Sequence, residues 1–271
     1  MIEKVNVKGA EFQVVDDLWL QLRLEAASIS ASEPLLASYY HAAILNHTDF
    51  NSAISFHIAN MLDSAAVPAM TIREVFLSAL IAKREIGDSM RADIKAYYQR
   101  DPACDKYTMP FMYFKGFHAL QAQRVAHWLW HNDRRFMALY LQHQISLAFG
   151  VDIHPGAKIG KGIMIDHATA VVIGETAVVG DEVSMLHSVT LGGSGCATGD
   201  RHPKIGRGVL ISAGAKVLGN ITIGDGVKIG AGSVVLESVP AHTTVVGVPA
   251  SIVGKPSCDC PAFEMDQDLS E

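Results

Sequence analysis

Histidine is the side chain best matched to proton transfer near neutral pH, and this chain carries twelve. By type alone each is as ready to be a packed or surface group as a base, so position has to choose among them. A second concentration of chemistry is the stretch Gly195–Lys204, which presents Asp200, Arg201, His202 and Lys204 together, either as a functional loop or as a solvated polar one. Asp101, in Arg100-Asp-Pro102, reads by itself as a turn residue before proline. Cys258-Asp-Cys260 has the residue types of a metal site but no second pair, so no metal is expected there.

These groups need a scaffold, and the composition supplies material for one. The chain has 271 residues, 49% of them hydrophobic and 18% charged, enough for one or two sizeable cores. No run of about 18 apolar residues occurs, and Met1–Val15 carries Glu3, Lys4, Lys8 and Glu11 where a signal peptide would be basic and then apolar, so neither a membrane span nor secretion is expected. The net charge of −6 speaks against nucleic acid as a partner. Five acids and no base fall within 257–271, so the surplus is expected to be an acidic, flexible tail. Four scattered cysteines fit a reducing cytoplasm.

Composition changes abruptly near residue 150. Nineteen of the 20 aromatic residues precede it, the exception being Phe263, whereas 19 of the 23 glycines lie within 151–256. Residues 1–150 carry helical spacing over about 15–30, 34–47, 50–63, 88–100, 111–132 and 134–149, with cap signals at Ser32-Glu-Pro34 and a capping box at Thr71-Ile-Arg-Glu74. From 153 onward an aliphatic residue recurs every six positions: Ile153, Ile159, Ile165, Val171, Ala177, Val183, Val189, then Ile205, Ile211, Val217, Ile223, Ile229 and Val235. Glycine directly follows several of these, at Gly160, Gly206, Gly224 and Gly230, as tight corners favour. A six-residue period predicts a parallel β-helix with three short strands to a coil of 18, and the interval from Val189 to Ile205 predicts an ejected ten-residue loop. The fold class is thus α+β multidomain: an all-α domain over 1–150, a β-helix over 151–256 and the tail over 257–271.

Beyond the period, specific segments carry a likeness to a known family. They are Arg100-Asp-Pro-Ala-Cys-Asp-Lys-Tyr107 and Lys115-Gly-Phe-His-Ala-Leu-Gln-Ala122 in the first half. In the second they are Val151-Asp-Ile-His-Pro155, Ile165-Asp-His-Ala-Thr169, Gly174-Glu-Thr-Ala177, Ser188-Val-Thr-Leu-Gly-Gly193, Gly199-Asp-Arg-His-Pro-Lys204 and Gly247-Val-Pro-Ala250. On these the chain resembles the hexapeptide-repeat acyltransferases, and within them the bacterial serine O-acetyltransferases, over nearly its whole length. The resemblance implies a left-handed β-helix, homotrimers with active sites between neighbouring subunits, and a dimer of trimers formed through the helical domains. It also implies direct transfer of acetyl from acetyl-CoA, a co-substrate, to the L-serine hydroxyl as the first step of cysteine biosynthesis. No permanently bound cofactor and no metal are expected, and L-cysteine is expected to inhibit by feedback at the serine pocket.

Residue by residue, the resemblance makes His167 the general base and Asp152 its carboxylate partner. In a strict coil of 18, Asp152 lies below residue 170, three residues along from His167. Asp101 and Asp166 are expected to hold the serine ammonium, and Arg201 with His202 its carboxylate. Glu175 matches a position near the site, and Gly193, Ala213 and Lys228 match the groove for CoA. His154 is read as structural, His187 has no assigned role, and Cys196 is read as incidental. Two departures stand out: Ala170 where the family pattern has glycine, and a C-terminus reading Leu269-Ser-Glu271 where relatives that dock into O-acetylserine sulfhydrylase end in isoleucine. The alternatives are an acyltransferase for homoserine or a sugar, a zinc carbonic anhydrase built from three histidines on the same prism, and a non-enzymatic assembly scaffold.

Overall fold

The computed structural model describes residues 16–195 and 198–268; Cys196, Leu269-Ser-Glu271 and the first fifteen residues lie outside them. The first half is helical. Helix α1 (Asp17–Ser32) is capped by Asp16, whose side chain accepts from the Trp19 N–H at 3.2 Å. A short helix α2 (Ala37–Tyr40) runs into one π turn, and α3 (Phe50–Met61) and α4 (Ala69–Ala82) pack together over Phe50, Ile54, Ile58, Ile72 and Phe76. Neither predicted cap functions as one. Ser32 closes α1, its hydroxyl donating to the Ile29 carbonyl, and α4 begins at Ala69, whose N–H is accepted by Asp63, so Thr71 lies inside the helix. Helix α5 (Arg84–Arg100) starts earlier than its spacing suggested, and the single helix read over 111–132 breaks at Phe114 into α6 (Thr108–Tyr113) and α7 (Lys115–Trp130). Helix α8 (Arg135–Phe149) ends on Gly150 in the left-handed conformation, and the chain enters the second half at once.

That half is a three-faced parallel β-helix. Face A stacks β1 (Val151–Ile153), β4 (Val171–Ile173), β7 (Thr190–Gly192), β10 (Lys216–Leu218) and β13 (Val234–Val235). Face B stacks β2 (Lys158–Ile159), β5 (Val178–Val179), β8 (Lys204–Ile205) and β11 (Thr222–Ile223). Face C stacks β3 (Met164–Ile165), β6 (Ser184–Met185), β9 (Leu210–Ile211), β12 (Lys228–Ile229) and β14 (Thr244–Gly247), closed by the antiparallel β15 (Ala250–Gly254). Ile153, Ile173, Leu191, Val217 and Val235 form one buried column, each above the last. The glycines that follow the strand ends serve coil-to-coil contact: a Cβ on Gly160 would lie 2.5 Å from Asp181, and one on Gly206 2.4 Å from Asp225.

The register corrects the count made from sequence. Val151 pairs with Val171, twenty positions on, whereas Val172 pairs with Thr190, eighteen on. The first coil therefore holds two extra residues, accommodated at Asp166–Ala170. Val171, Ala177, Val183 and Val189 kept the apparent period because the position two before each strand's lead residue also points inward and is buried. Consequently Asp152 lies beside Val172, not residue 170. The ejected loop exceeds its hexad by eight residues, since Val178 pairs with Lys204.

Polar contacts tie the rest to this prism. From α5, Asp93 accepts the Ile163 N–H at 2.9 Å, while Tyr97 Oη accepts from Ile165 N and donates to Ile165 O, at 3.0 and 2.9 Å. Asp93 is buried and paired with Arg124 of α7 at 2.8 Å, and Arg124 also donates to the carbonyls of Ile159 and Gly160. The tail differs from the flexible segment expected. Its short helix α9 (Pro261–Glu264) lies between the prism, where Ser184 donates to the Ala262 carbonyl at 2.8 Å, and the end of α5, where the Arg100 guanidinium faces the Phe263 ring at 4.1 Å. Pro261 and Ala262 are the residues of this helix that are buried.

Candidate active site

The extra residues of the first coil build one edge of the site, at the corner between faces C and A. His167, Ala168 and Ala170 all adopt positive φ, of 56°, 57° and 62°, a conformation that costs non-glycine residues roughly 1–2 kcal/mol each. The surroundings hold them there. Tyr97 fixes Ile165 on one side, Ala168 is buried, and Gly116 at the start of α7 lies so close that a Cβ would sit 2.1 Å from the Ile165 carbonyl. Lys115 hydrogen-bonds the Thr169 hydroxyl. The result is a rigid bulge that leaves the His167 side chain 73% exposed, with Nε2 3.5 Å from Asp166 Oδ2 and the His187 ring centroid 6.0 Å away.

Asp166 is half-buried, and that burial, with Asp101 nearby, raises its carboxyl above the usual aspartate value, while His167 pulls it back. Asp101 caps the C-terminus of α5 and accepts the Ala103 N–H at 2.8 Å, so it is a turn residue and a neighbour of Asp166 at once. Two carboxylates within electrostatic reach of each other favour a cation between them.

A second group occupies a different edge, where face A turns into face B. Arg201 Nη2 donates to Glu175 Oε2 at 2.7 Å, and this hydrogen bond holds the Glu175 carboxyl below its ordinary value. His202 is buried and lies across Gly174, where a Cβ would meet the ring at 2.1 Å; only glycine admits it. Its Nδ1 receives the Thr176 N–H at 3.2 Å, so the ring proton sits on Nε2, and burial followed by Arg201 and Lys204 lowers its pKa. His154 has the same arrangement, its Nδ1 accepting from the Gly156 N–H at 3.0 Å, and burial lowers its pKa with Glu175 and Asp152 opposing. A cleft of roughly 330 Å³ beside this group is lined by Trp130, Lys158, Glu175, Thr176, Asp200 and Lys204. The edge offers a guanidinium and imidazole N–H donors, which suit a carboxylate.

The expected residues thus fall into two sets. Asp101, Asp166 and His167 gather at one edge, and Glu175, Arg201 and His202 at the other, with Asp152 held by Gln142 at 2.7 Å and within electrostatic reach of His154. The register sets Asp152 beside Val172, five residues along from His167 where the strict coil gave three. The CoA positions divide too: Gly193 lies near His202, and Ala213 stands above His187 on the histidine edge. Lys228 belongs to neither, since its Nζ is engaged by Asp266 and by the Asp268 carbonyl. Sequence reasoning passed over Thr176, Tyr97 and Gly116, whose partners lie 26, 68 and about 50 residues away, beyond the reach of any local pattern. Among the described residues no cluster of three or more metal-ligating side chains occurs.

Comparison with known proteins bears on both halves. The family model for the N-terminal region of serine acetyltransferase matches residues 18–122, and that for the bacterial transferase hexapeptide, six repeats, matches 202–237. A serine acetyltransferase of Salmonella typhimurium is 58% identical over 250 residues, covering 92% of each chain. The crystal structure of the Vibrio cholerae serine acetyltransferase superposes with a TM-score of 0.93 at 55% identity, over 94% of this chain and 99% of that one. A serine acetyltransferase in complex with cysteine gives 0.92 at 50%, over 93% and 98%, and that of Brucella abortus in complex with coenzyme A gives 0.90 at 49%, over 92% and 100%. The prism is therefore the left-handed β-helix of hexapeptide repeats. Because relatives 55–58% identical are matched over 92–94% of its length, the chain belongs to the serine acetyltransferase family.

Proposed function

We propose that this protein transfers the acetyl group of acetyl-CoA to the hydroxyl of L-serine, giving O-acetyl-L-serine and CoA, with His167 as general base. The exposed imidazole held on a rigid bulge beside two carboxylates carries this reading. Nε2 takes the hydroxyl proton as the serine oxygen attacks the thioester carbonyl, and the imidazolium returns it to the departing CoA thiolate. Asp101 and Asp166 hold the ammonium, Arg201 and His202 the carboxylate, with Glu175 aligning Arg201. These groups sit on two edges of one prism, so a complete site forms where the histidine edge of one subunit meets the arginine edge of the next. That is the reason for proposing a homotrimer, and a dimer of trimers through the helical domains. Asp152 lies with the second group and in this assembly approaches His167 from the neighbouring chain. Pantetheine follows the same groove past Gly193 and Ala213, and Lys228 reaches CoA once it leaves Asp266.

L-cysteine shares the ammonium and carboxylate of serine and fits the same two sets of residues, which makes it a competitive feedback inhibitor. Among the described residues no helix is long and apolar enough to cross a membrane, and Cys104, Cys258 and Cys260 are free, which supports work in a reducing cytoplasm. Docking of the tail into O-acetylserine sulfhydrylase remains the proposal for residues beyond α9. The test is release of CoA thiol from acetyl-CoA with L-serine, L-homoserine, L-threonine or a sugar as acceptor. Serine-dependent release, suppressed by L-cysteine, is the expected result; turnover of another acceptor alone would overturn the pocket assignment, and silence with all of them would favour a scaffold.

A further inference from the structure

Thr176 lies on the arginine edge, and several hydrogen bonds from the ejected loop converge on it, Lys204 Nζ donating to its carbonyl at 2.9 Å among them. Its hydroxyl oxygen accepts the backbone N–H of Arg201 at 3.0 Å and that of His202 at 3.2 Å. Its own N–H donates to His202 Nδ1 at 3.2 Å, and its hydroxyl lies 2.8 Å from the same nitrogen. The hydroxyl proton has two acceptors in reach, His202 Nδ1 and the Asp200 carboxylate. Whichever takes it, a backbone N–H can only donate, so Nδ1 is an acceptor and Nε2 carries the proton.

We infer that Thr176 is a positioning residue for the substrate carboxylate, pinning Arg201 through the backbone and fixing His202 as the tautomer that presents an Nε2–H donor. The inference rests on the reading of Arg201 and His202 as the carboxylate-binding pair. The corner is shaped around this ring: a Cβ on Gly174 would lie 2.1 Å from Nε2, so only glycine admits the imidazole there, whereas a Cβ on Gly193 would lie 3.8 Å from the same nitrogen. His154, two residues beyond Asp152, repeats the device with the Gly156 N–H, so its Nδ1 is likewise an acceptor and its Nε2 carries the proton. Arg201 keeps two other anchors, Glu175 and the Gly199 carbonyl at 3.0 Å, so loss of the threonine hydroxyl misaligns the loop without releasing it.

Steady-state kinetics of Thr176→Val and Thr176→Ser, with thermal melting and gel filtration to confirm folding, test this. Valine keeps the shape and the backbone N–H but leaves two loop N–H groups without their acceptor, whereas serine keeps the oxygen. Thr176→Val is expected to raise the serine KM about tenfold and weaken L-cysteine inhibition by a similar factor, with kcat within about threefold and the acetyl-CoA KM within about twofold. Thr176→Ser is expected to stay within about threefold of wild type on every parameter. An unchanged serine KM in the valine variant would overturn the inference. So would a serine variant as impaired as valine, or an acetyl-CoA KM rising in step with that of serine, which marks general disruption. A wild-type enzyme that does not acetylate serine would instead overturn the underlying reading, and it would do so before any substitution is made.

Discussion

In the helical domain, side chains meet across long and irregular separations, Tyr40 with Tyr113 and Ser64 with Tyr140, whereas in the prism nearly every backbone partner lies one coil away. The first is held by aromatic packing around Phe50, Phe76, Phe111 and Phe117, the second by columns of aliphatic residues with no aromatic inside. A periodic scaffold is stiff but offers every coil the same surface, so it has no place for chemistry until the period is interrupted. Both interruptions carry candidate site residues: the two-residue slip presents His167, and the eight-residue excess presents Arg201 and His202. The irregular domain then buttresses the first interruption through Tyr97 and Gly116 and contributes Asp101.

The sharpest way to separate chemistry from scaffold is His167→Ala. It should lower kcat by about 10²–10⁴-fold while melting temperature and oligomeric state stay as in wild type, since the side chain is largely exposed; near-normal turnover would remove His167 as the base. The seam between the two halves is tested next. Asp93→Ala leaves buried Arg124 without its carboxylate and should cost about 3–5 kcal/mol, whereas Gly206→Ala, confined to the prism, should cost about 1–3 kcal/mol. If chemical denaturation gives the reverse order, the seam is worth less than one coil-to-coil contact within the prism. The smallest effect concerns pH. Asp166 must be ionised to hold an ammonium, and its raised pKa means that it takes up a proton at higher pH than an ordinary aspartate, so the serine KM should rise on acidification before an unperturbed carboxylate would titrate. Asp101→Asn removes one of the groups that raise it, while His167 and His187 still pull it down. The rise should then move to lower pH, on top of a weaker overall affinity; an unmoved profile would disconnect the two acids.

The helical half and the β-helix were legible because both write a period into the sequence, one of roughly 3.6 and one of six. The slip at Asp166–Ala170 was not, because Val171, Ala177, Val183 and Val189 sit at a second inward position and satisfied the count while two places out of phase. That misplacement is also why Asp152 was expected under residue 170 and is found beside Val172. The capping box at Thr71 failed for a local reason: Asp63, six residues before the helix, reaches its first N–H and starts it sooner. Thr176 was invisible because its role exists only when a loop 25 residues on folds back over it. The tail read as flexible because it carries five acids and no base, yet its described part is held by buried Pro261 and Ala262, by Phe263 on Arg100 and by Asp266 on Lys228.

The slip behaves as a dislocation does in a crystal. A dislocation cannot be relaxed away locally, because every layer beyond it has already been stacked to accommodate the extra half-plane. Here the coils above Ala170 are all hydrogen-bonded in the displaced register, from Ile173 on Ile153 through Val235 on Val217. Exchanging a residue of the bulge leaves this register as it is, whereas removing two would return the first coil to a count of 18. The imidazole is thereby carried on a topological count, a more durable support than any single contact beneath it.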